Sequence, residues 1–358
     1  MSTTISDRRV RDVVALHFDP VAGSPYWLER AASLGLDARR AIRTAADLAV
    51  LGPFDRRALV ERPMLDFVPQ ALLARPDDIV LAETGGTLGR PVRCAFTRSE
   101  FREAFGDPFA IASAARGFPR GGLWLFAGPT GPHAIGRAAR LLARMHGALE
   151  PLAIDVDPRW ARAQAPGSAG AVAYLEHVVD QALDVLGREP VTVLFTTPPL
   201  ALAIGAELDP ARRGRILGIH LGGLPLVREA RRRIAAAFPA AVVIPGYGNS
   251  LAGIFVEAVV PPGALPDTVD YFAPPGRLGL AAVEVVDGEP LLDRPVAPGT
   301  RGRLVLTRVD HACLLPNLVE RDVVELVPAP PAVAALGLAG PGIRDPWPAD
   351  HAPIRGVY

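Results

Sequence analysis

The chain has 358 residues, and each of its 38 basic side chains is an arginine. The 38 Asp and Glu residues bring the formal net charge to zero, which argues against a nucleic-acid-binding protein. Without lysine, the sequence excludes a G-x-x-x-x-G-K phosphate loop, a lysine Schiff base and a pyridoxal enzyme. Acid–base chemistry therefore falls to His, Asp, Glu, Tyr or Cys.

Several features favour a cytoplasmic protein with no membrane partner. The two cysteines, Cys94 and Cys313, are too few for a disulfide framework or a zinc cluster, and reduced buried thiols are expected. Residues 1–12 are polar and charged, unlike a signal peptide. The most apolar stretch, residues 235–260, is interrupted by two prolines and several glycines, which indicates buried strands instead of a membrane span.

The first predicted element is a helical stretch at residues 26–51, where apolar and charged positions alternate at helical spacing. Two strand-like runs then flank a turn of glycines and threonines at residues 84–89. From residue 121 onward, strand-like segments alternate with helical ones. The strand-like segments are 121–128, 151–157, 191–198, 213–223 and 240–248, and the helical segments are 133–149, 169–187, 199–206 and 226–238. This alternation predicts an α/β fold with a largely parallel sheet.

The pattern changes after residue 253. Short strand-like segments separated by Gly and Pro turns follow, at residues 254–260, 279–287, 302–310 and 322–328. They predict a β-rich subdomain near the C-terminus. We therefore expect an α/β part over about residues 60–252, a β-rich part over about 253–328 and an irregular tail over 329–358.

Four glycine-rich turns follow apolar strand-like runs, at residues 84–89, 127–131, 222–223 and 246–248. In an open parallel sheet, ligands bind beyond the carboxyl ends of the strands. The four turns therefore predict a site for a small molecule.

The turn from Thr84 to Pro91 has the composition of an anion-binding loop. Glycine lets the backbone approach phosphate oxygens, and threonine hydroxyls donate hydrogen bonds to them. Three further segments accompany it: Gly222-Gly223-Leu224-Pro225, Gly246-Tyr247-Gly248-Asn249-Ser250 and Arg321-Asp322. Taken singly, each segment is explained as well or better by an ordinary turn or a surface ion pair.

In this order and spacing, the four segments resemble the acyl-adenylate-forming superfamily of acyl-CoA synthetases, and most of all its phenylacetate–CoA ligase branch. Residues 84–91 are similar to its Thr/Ser/Gly-rich phosphate loop, and residues 222–225 to the G-(A/G)-x-P segment beside the adenine. Residues 247–250 are similar to the Y-G-x-(S/T)-E segment, which touches adenine and the α-phosphate. Arg321-Asp322 is similar to the end of Y-R-(T/S)-x-D. The resemblance covers about residues 20–328 and implies a layered αβαβα large domain with a β-rich subdomain.

The resemblance implies an ATP site in which Asp322 holds the ribose, since a carboxylate accepts from both hydroxyls of a diol. Thr84 and Thr87 are expected to assist catalysis through their hydroxyls. The residues that would bind the nucleotide are Thr84, Gly85, Gly86, Thr87, Gly89, Gly222, Gly223, Leu224, Pro225, Gly246, Tyr247, Gly248, Asn249, Ser250, Arg321 and Asp322.

His133 follows a strand-end glycine turn and opens a predicted helix, in the region that lines the acyl pocket of aryl-CoA ligases. It is predicted to contact the carboxylate or to act as a base, although a structural hydrogen bond at the helix start explains it equally well. The other predicted substrate-binding residues are Phe126, His220, Gly223 and Tyr247, and core packing is the simpler role for Phe126. No spacing of histidines indicates a metal site.

The sequence also departs from the family pattern. Leu251 stands where a glutamate helps to hold magnesium, Leu88 where a second hydroxyl is usual, and Arg90 where lysine is frequent. Mg²⁺ would then be held mainly by ATP. Because 36 residues follow Asp322, we expect the family's small C-terminal domain to be absent. In the family, that domain carries a catalytic lysine and swings to admit coenzyme A.

The predicted function is ATP-dependent activation of an aryl carboxylic acid as acyl-AMP, followed by transfer to an amine, a hydroxyl or a thiol such as coenzyme A. Loss of the small domain favours an amine or hydroxyl acceptor, as in natural-product assembly of aryl amides, esters or benzoxazoles. Two alternatives stay open. One is a degenerate ligase scaffold that binds or sequesters an aryl acid or ester intermediate, and the other is a ligase completed in trans by a lysine-bearing subunit. The resemblance also suggests a homodimer.

Overall fold

The computed structural model describes residues 2–3, 5–85, 90–260 and 264–349. Within these ranges, no helix is both long and apolar enough to cross a lipid bilayer. The α-helices are α1 (Asp7–His17), α2 (Pro25–Leu34), α3 (Ala38–Ala41), α4 (Ala58–Glu61), α5 (Gln70–Leu73), α6 (Arg98–Phe101), α7 (Asp107–Arg116), α8 (Ala134–Met145), α9 (Pro158–Ala163), α10 (Ala169–Arg188), α11 (Pro198–Glu207), α12 (Pro210–Arg213), α13 (Arg228–Ala237) and α14 (Pro331–Ala334). A π-helical turn, Arg102–Gly106, joins α6 to α7, and short 3₁₀ helices lie at Ala46–Leu51, Met64–Phe67 and Pro76–Asp78.

The strands of the described ranges form three sheets. They are β1 (Ser2–Thr3), β2 (Ile79–Glu83), β3 (Arg93–Thr97), β4 (Leu123–Gly128), β5 (Leu152–Asp155), β6 (Val191–Thr196), β7 (Gly218–Leu221), β8 (Val242–Asn249), β9 (Gly253–Val256), β10 (Asp270–Tyr271), β11 (Leu278–Val286), β12 (Glu289–Pro295), β13 (Arg301–Val309), β14 (Leu314–Val327) and β15 (Gly342–Pro348). The smallest sheet is the β2–β3 hairpin.

The second sheet is mostly parallel. Its strands run in the order β5-β4-β6-β7-β8-β9, and only the β8–β9 pair is antiparallel. The β4, β6 and β7 strands are buried nearly throughout, because helices pack on the sheet and a strand covered on both faces must be apolar on both. Each βα connection returns the chain in the same direction, so the carboxyl ends of these strands share one edge. The predicted α/β fold with a parallel sheet is confirmed.

The third sheet is antiparallel and holds the C-terminal part of the chain. Its order is β1-β11-β13-β14-β15-β10, with β12 paired to β11. The predicted β-rich part is therefore present. Its strands β11 and β13 coincide closely with the predicted segments 279–287 and 302–310, whereas β14 begins at Leu314, well before the predicted segment 322–328. The long β14 strand, of 14 residues, carries Glu320, Arg321 and Asp322 toward the end of the parallel sheet.

Three predicted elements differ from the structure. The predicted strand at 254–260, expected in the β-rich part, is the shorter β9, which pairs with β8 in the mostly parallel sheet. The helical stretch 26–51 is interrupted after α2, where Gly35 adopts a φ of 59° that ends the helix. The predicted irregular tail, residues 329–358, contains α14 and the strand β15, which pairs with β14 and β10. Its prolines obscured this strand. Pro346 is tolerated because it lies at a register irregularity, between the pairs Arg344–Glu325 and Trp347–Val323.

Candidate active site

A cavity of about 710 Å³ lies at the carboxyl edge of the parallel sheet. The residues after β2, β4 and β7, the end of β8 and the bulged middle of β14 all contribute to its wall. This is the edge at which open α/β sheets bind ligands, because the chain turns there leave backbone groups and helix starts around a crevice. The four predicted motif segments thus reach one cavity, at least in their described residues.

The phosphate-loop segment enters the cavity through Thr84 and Gly85. The predicted residues Gly86, Thr87 and Gly89 lie outside the described residues. The Thr84 backbone N–H donates to the Val92 carbonyl at 2.9 Å, and the Thr84 hydroxyl accepts from the Val92 N–H at 3.0 Å. These two hydrogen bonds hold the base of the loop in place. The Thr84 hydroxyl, which accepts this bond, keeps its own proton for donation to a ligand.

His133 lies on the cavity wall just before α8, for which it is the N-terminal capping position. Its side chain is buried and forms no capping hydrogen bond, and its Nδ1 has no hydrogen-bond partner among the described residues. The predicted alternative, a structural hydrogen bond at the helix start, is therefore not made by Nδ1. The imidazole remains available to a molecule in the cavity.

Glu83 was not predicted as a site residue, yet it lies beside His133. The two form an isolated parallel bridge, and the Glu83 N–H donates to the Pro132 carbonyl at 2.9 Å. The Glu83 carboxylate is buried and lines the cavity. The sequence feature that could have identified Glu83 is a carboxylate at the end of an apolar strand, directly before a glycine-rich loop. Which face of the strand it occupies became clear only from the pairing.

Residues Gly223, Leu224 and Pro225, which follow β7, line the cavity, whereas Gly222 does not. Gly223 has a φ of 81°, a conformation that side chains other than glycine rarely adopt. The turn therefore depends on glycine at position 223 to bring the backbone of this segment to the cavity.

The end of β8 contributes Gly246 to Ser250. A Cβ at Gly246 would lie 2.9 Å from Cε1 of His220, so glycine allows the strand to pass over that ring. The Asn249 side-chain oxygen accepts from the N–H groups of Leu251, at 2.9 Å, and Ala252, at 3.1 Å. Asn249 therefore shapes the turn into β9 as well as facing the cavity.

Tyr247 and Asp322 meet inside the cavity. The Tyr247 hydroxyl donates to Asp322 Oδ2 at 2.6 Å. Burial, together with the neighbouring Asp322 carboxylate, raises the pKa of the Tyr247 phenol well above its usual range, so it stays a proton donor. The second oxygen of Asp322 is left for other partners.

Glu320 is a further cavity residue that was not predicted. It is buried, and its Oε2 accepts from Nη1 of Arg56 at 2.7 Å. Its Oε1 has no hydrogen-bond partner among the described residues. Arg56, Arg162 and Arg321 also line the cavity, so arginines from three separate segments contribute to its wall.

Two predicted substrate-binding residues lie in the core and not on the cavity wall. Phe126 is 2% exposed and packs against Phe195, with ring centroids 5.1 Å apart. His220 is also buried, with its ring near those of Phe109 and Phe195 and its Nδ1 at 2.8 Å from the Ile244 carbonyl. Burial lowers the pKa of His220 to about 4. Other rings of the core surround both side chains, so neither lines the cavity.

Leu251 lines the cavity, is 1% exposed, and offers no oxygen ligand from its side chain to Mg²⁺. Its carbonyl accepts from Arg308 at 2.9 Å, and Arg308 in turn pairs with the fully buried Asp310. Arg277 also pairs with Asp310 and donates to the Ala252 carbonyl. The arginines of these buried ion pairs therefore hold the turn after Asn249 in place through its carbonyl groups.

The described residues contain six buried side-chain nitrogen or oxygen atoms without a hydrogen-bond partner, and three of them belong to cavity residues. These three are Glu83 Oε1, His133 Nδ1 and Glu320 Oε1. Leaving such an atom unpaired costs about 1–3 kcal/mol. Their concentration in one cavity indicates a polar ligand that satisfies them when it binds.

The fold of the chain is similar to that of solved CoA ligase structures. A structure of 2-hydroxyisobutyryl-CoA ligase with 2-HIB-AMP and CoA superimposes with a TM-score of 0.61 and 18% sequence identity, over 94% of this chain and 65% of that protein. A second structure of that ligase, in the postadenylation state with R3-HIB-AMP, gives a TM-score of 0.63 and 16% identity over the same shares. The chain therefore spans about two thirds of the length of this ligase.

Two curated rice proteins (Oryza sativa subsp. japonica) share local sequence similarity with the chain. "4-coumarate–CoA ligase-like 6" is 33% identical over 122 residues, which are 33% of this chain and 19% of the rice protein. "4-coumarate–CoA ligase-like 5" is 36% identical over 84 residues, 23% of this chain and 15% of the rice protein. The matched segments thus span a fifth or less of these relatives. No protein-family model matches the sequence.

Proposed function

We propose that the chain binds ATP and a carboxylic acid in this cavity and converts them to an acyl-adenylate and pyrophosphate. The observation that carries the proposal is the convergence of Thr84–Gly85, Gly223–Pro225, Gly246–Ser250 and Arg321–Asp322 on one cavity at the carboxyl edge of the parallel sheet. The fold supports the same proposal, since the structures it matches hold acyl-AMP.

The nucleotide would lie along the β8–β14 side of the cavity. Asp322 has one carboxylate oxygen on Tyr247 and a second oxygen for a ribose hydroxyl. Gly223 to Pro225 would border the adenine. Thr84, which is held at the base of the glycine-rich loop, would face the phosphates. Predicted contacts of Gly86, Thr87 and Gly89 with phosphate belong to this proposal.

The reaction requires one oxygen of the acid's carboxylate to attack the α-phosphorus of ATP. A new C–O–P linkage forms, the bond from the α-phosphorus to the bridging oxygen breaks, and pyrophosphate leaves with that electron pair. The attacking carboxylate and the triphosphate are both anionic, so cationic groups must offset their repulsion. Arg56, Arg162 and Arg321 are the cavity residues that carry this charge in a chain without lysine.

The chain offers Mg²⁺ no carboxylate at position 251, because the residue there is the apolar Leu251. Mg²⁺ would therefore enter with ATP and be held mainly by phosphate oxygens and water. When bound, it would supply further positive charge to the phosphates.

The activated acyl group would then pass to an amine, a hydroxyl or a thiol, coenzyme A included. We favour an aryl acid, because Phe105, Ile135, Ile254 and Tyr271 provide apolar lining. We also propose that the chain belongs to the phenylacetate–CoA ligase branch and acts in natural-product assembly. We further propose that it is cytoplasmic and forms a homodimer.

The test is a pyrophosphate-release assay with ATP, Mg²⁺ and a panel of aryl acids, combined with detection of acyl-AMP by mass spectrometry. Acid-dependent release of pyrophosphate with the matching acyl-AMP is expected. Arg56→Gln and Arg321→Gln should slow the release, whereas Arg344→Gln, a change to a residue that pairs with Asp270 outside the cavity, should not. If no acid gives pyrophosphate, the enzymatic proposal fails.

A second candidate is a scaffold that binds an aryl acid or ester without adenylating it. Leu251 at the magnesium position and the absence of lysine from all 358 residues favour it. It predicts measurable acid binding without pyrophosphate release. A ligase completed in trans differs again, since release would then appear only when a separate lysine-bearing protein is added.

A further inference from the structure

We propose that Glu83 and His133 form a subsite for a primary amino group, carried either by the acid or by the nucleophile that accepts the acyl group. The inference rests on the proposed function for the identity of these two molecules. The subsite itself is defined by the geometry of the two side chains.

Glu83 and His133 come from segments that are 50 positions apart but adjacent in space. Their backbones form a parallel bridge, so their side chains leave the two segments side by side. Both residues line the cavity, and both are more than nine-tenths buried, with 4% and 6% exposure. Neither side chain can turn to bulk water without rearranging the wall.

Each side chain presents an unsatisfied atom. Glu83 Oε2 accepts from Arg93 Nε at 3.0 Å, whereas Glu83 Oε1 has no hydrogen bond among the described residues and lies 3.6 Å from Arg159 Nη1. His133 Nδ1 is likewise buried without a partner among the described residues. Buried polar atoms are almost always paired, so a pair of adjacent exceptions points to a ligand.

Glu83 brings a carboxylate to the wall of this subsite. The side chains of Arg93 and Arg159 are 67% and 48% exposed, so water screens their attraction to Glu83. The Glu83 carboxylate itself is buried, with 4% of the residue exposed. A cationic or strongly hydrogen-bond-donating ligand group is therefore favoured there.

A primary amine matches the two atoms better than other common groups. With its proton on Nε2, His133 presents Nδ1 as an acceptor, and Glu83 Oε1 is a second acceptor. A hydroxyl has one proton and could satisfy only one of them. An amino or ammonium nitrogen offers two or three donors from a single atom, and the cavity's apolar residues Phe105 and Ile135 would contact its carbon skeleton.

The first experiment asks whether the amine belongs to the acid. Calorimetry without nucleotide compares the three positional aminobenzoates with the corresponding methylbenzoates, which have nearly the same shape. At least one amino isomer should bind tenfold or more tightly than its methyl partner. Glu83→Gln and His133→Phe should each reduce that preference, which is the ratio of the two affinities measured in the same variant, to below threefold. Glu325→Gln, at a carboxylate that pairs with Arg344 outside the cavity, should preserve it.

The second experiment asks whether the amine belongs to the acceptor. The protein is saturated with a non-hydrolysable benzoyl sulfamoyl adenosine, and calorimetry compares benzylamine with benzyl alcohol. A tenfold preference for benzylamine that Glu83→Gln removes assigns the amine to the acceptor. If the sulfamoyl compound does not bind, the acid comparison decides the proposal.

The proposal is overturned if neither amine is preferred by the unsubstituted protein, or if the preference persists in Glu83→Gln. Thermal melting checks that each variant is folded, and if Glu83→Gln does not fold, the amino-against-methyl comparison in the unsubstituted protein decides. Failure of adenylation has a separate signature. Amine preference without pyrophosphate release would leave the subsite standing and remove the enzymatic function.

Discussion

The Tyr247 hydroxyl donates a 2.6 Å hydrogen bond to Asp322, and these residues lie 75 positions apart. Tyr247 belongs to β8 at the carboxyl edge of the parallel sheet, and Asp322 belongs to β14 of the antiparallel sheet. The contact therefore joins the two sheets at the cavity. It also fixes the orientation of the carboxylate proposed to hold the ribose.

Asp322→Ala should weaken ATP binding at least about tenfold, or about 1.4 kcal/mol, because the proposed ribose contact disappears. Calorimetric titration with ATP measures the effect. Glu325→Ala is the matched control, since Glu325 lies on the same strand but pairs with Arg344 outside the cavity. An unchanged ATP affinity in Asp322→Ala would refute the placement of the ribose.

Tyr247→Phe should lower the free energy of unfolding by about 1.5–3 kcal/mol, because a hydrogen bond to a charged carboxylate is lost. Urea unfolding measures this change. Tyr271→Phe serves as the control, because its ring lies in the same cavity, 6.3 Å from that of Tyr247, and does not bond Asp322. Equal losses in the two variants would show that the Asp322 contact contributes nothing measurable.

Asp310→Asn should destabilise the protein by about 3–5 kcal/mol, since it leaves the buried guanidinium groups of Arg277 and Arg308 without their shared carboxylate. Loss of this support should also loosen the turn at Leu251 and Ala252. Asp293→Asn, at an exposed position of β12, should change the unfolding free energy by less than about 0.5 kcal/mol. Similar stabilities for the two variants would contradict the structural role of Asp310.

The Asp310 carboxylate also predicts how the stability of the protein changes at acidic pH. Burial alone would raise the pKa of Asp310, but Arg277 and Arg308 outweigh it and hold that pKa well below its usual range. A depressed carboxylate pKa stabilises the fold above the unfolded value of about 3.9, and this contribution is lost as the pH falls below it. Urea unfolding below about pH 4 should therefore show a steeper loss of stability in the unsubstituted protein than in Asp310→Asn.

Two buried histidines predict a second pH range, above that of Asp310, in which the stability of the protein changes. Burial lowers the pKa of both His17 and His220 to about 4, against about 6.5 in the unfolded chain. The unfolded state therefore binds more protons in this range, and stability should fall as the pH drops from 6.5 toward 4, by up to about 3 kcal/mol for each group. His220→Gln should give a shallower fall in urea unfolding at pH 7.0, 6.0 and 5.0. An identical slope would mean that the buried ring does not resist protonation.

Much of the architecture follows from local patterns in the sequence. Alternating strand and helix segments predicted the parallel sheet, and short strands between Gly and Pro turns predicted β11, β13 and the end of β14. These signals are local because a half-buried helix or a doubly covered strand imposes its own apolar period. The strand β15 escaped prediction, since Pro346 is allowed only by an irregular pairing with β14 that no local pattern reveals.

The sequence by itself determined the absence of lysine, the glycine turns at strand ends and the residue types available for chemistry. Only the tertiary structure decided which side chains meet. It placed Glu83 and His133 side by side through a backbone bridge, it joined the side chains of Tyr247 and Asp322, and it buried His220 in the core. The physical reason is that residue type and spacing constrain each segment, whereas the face that a strand residue shows to a ligand depends on distant segments packed against it.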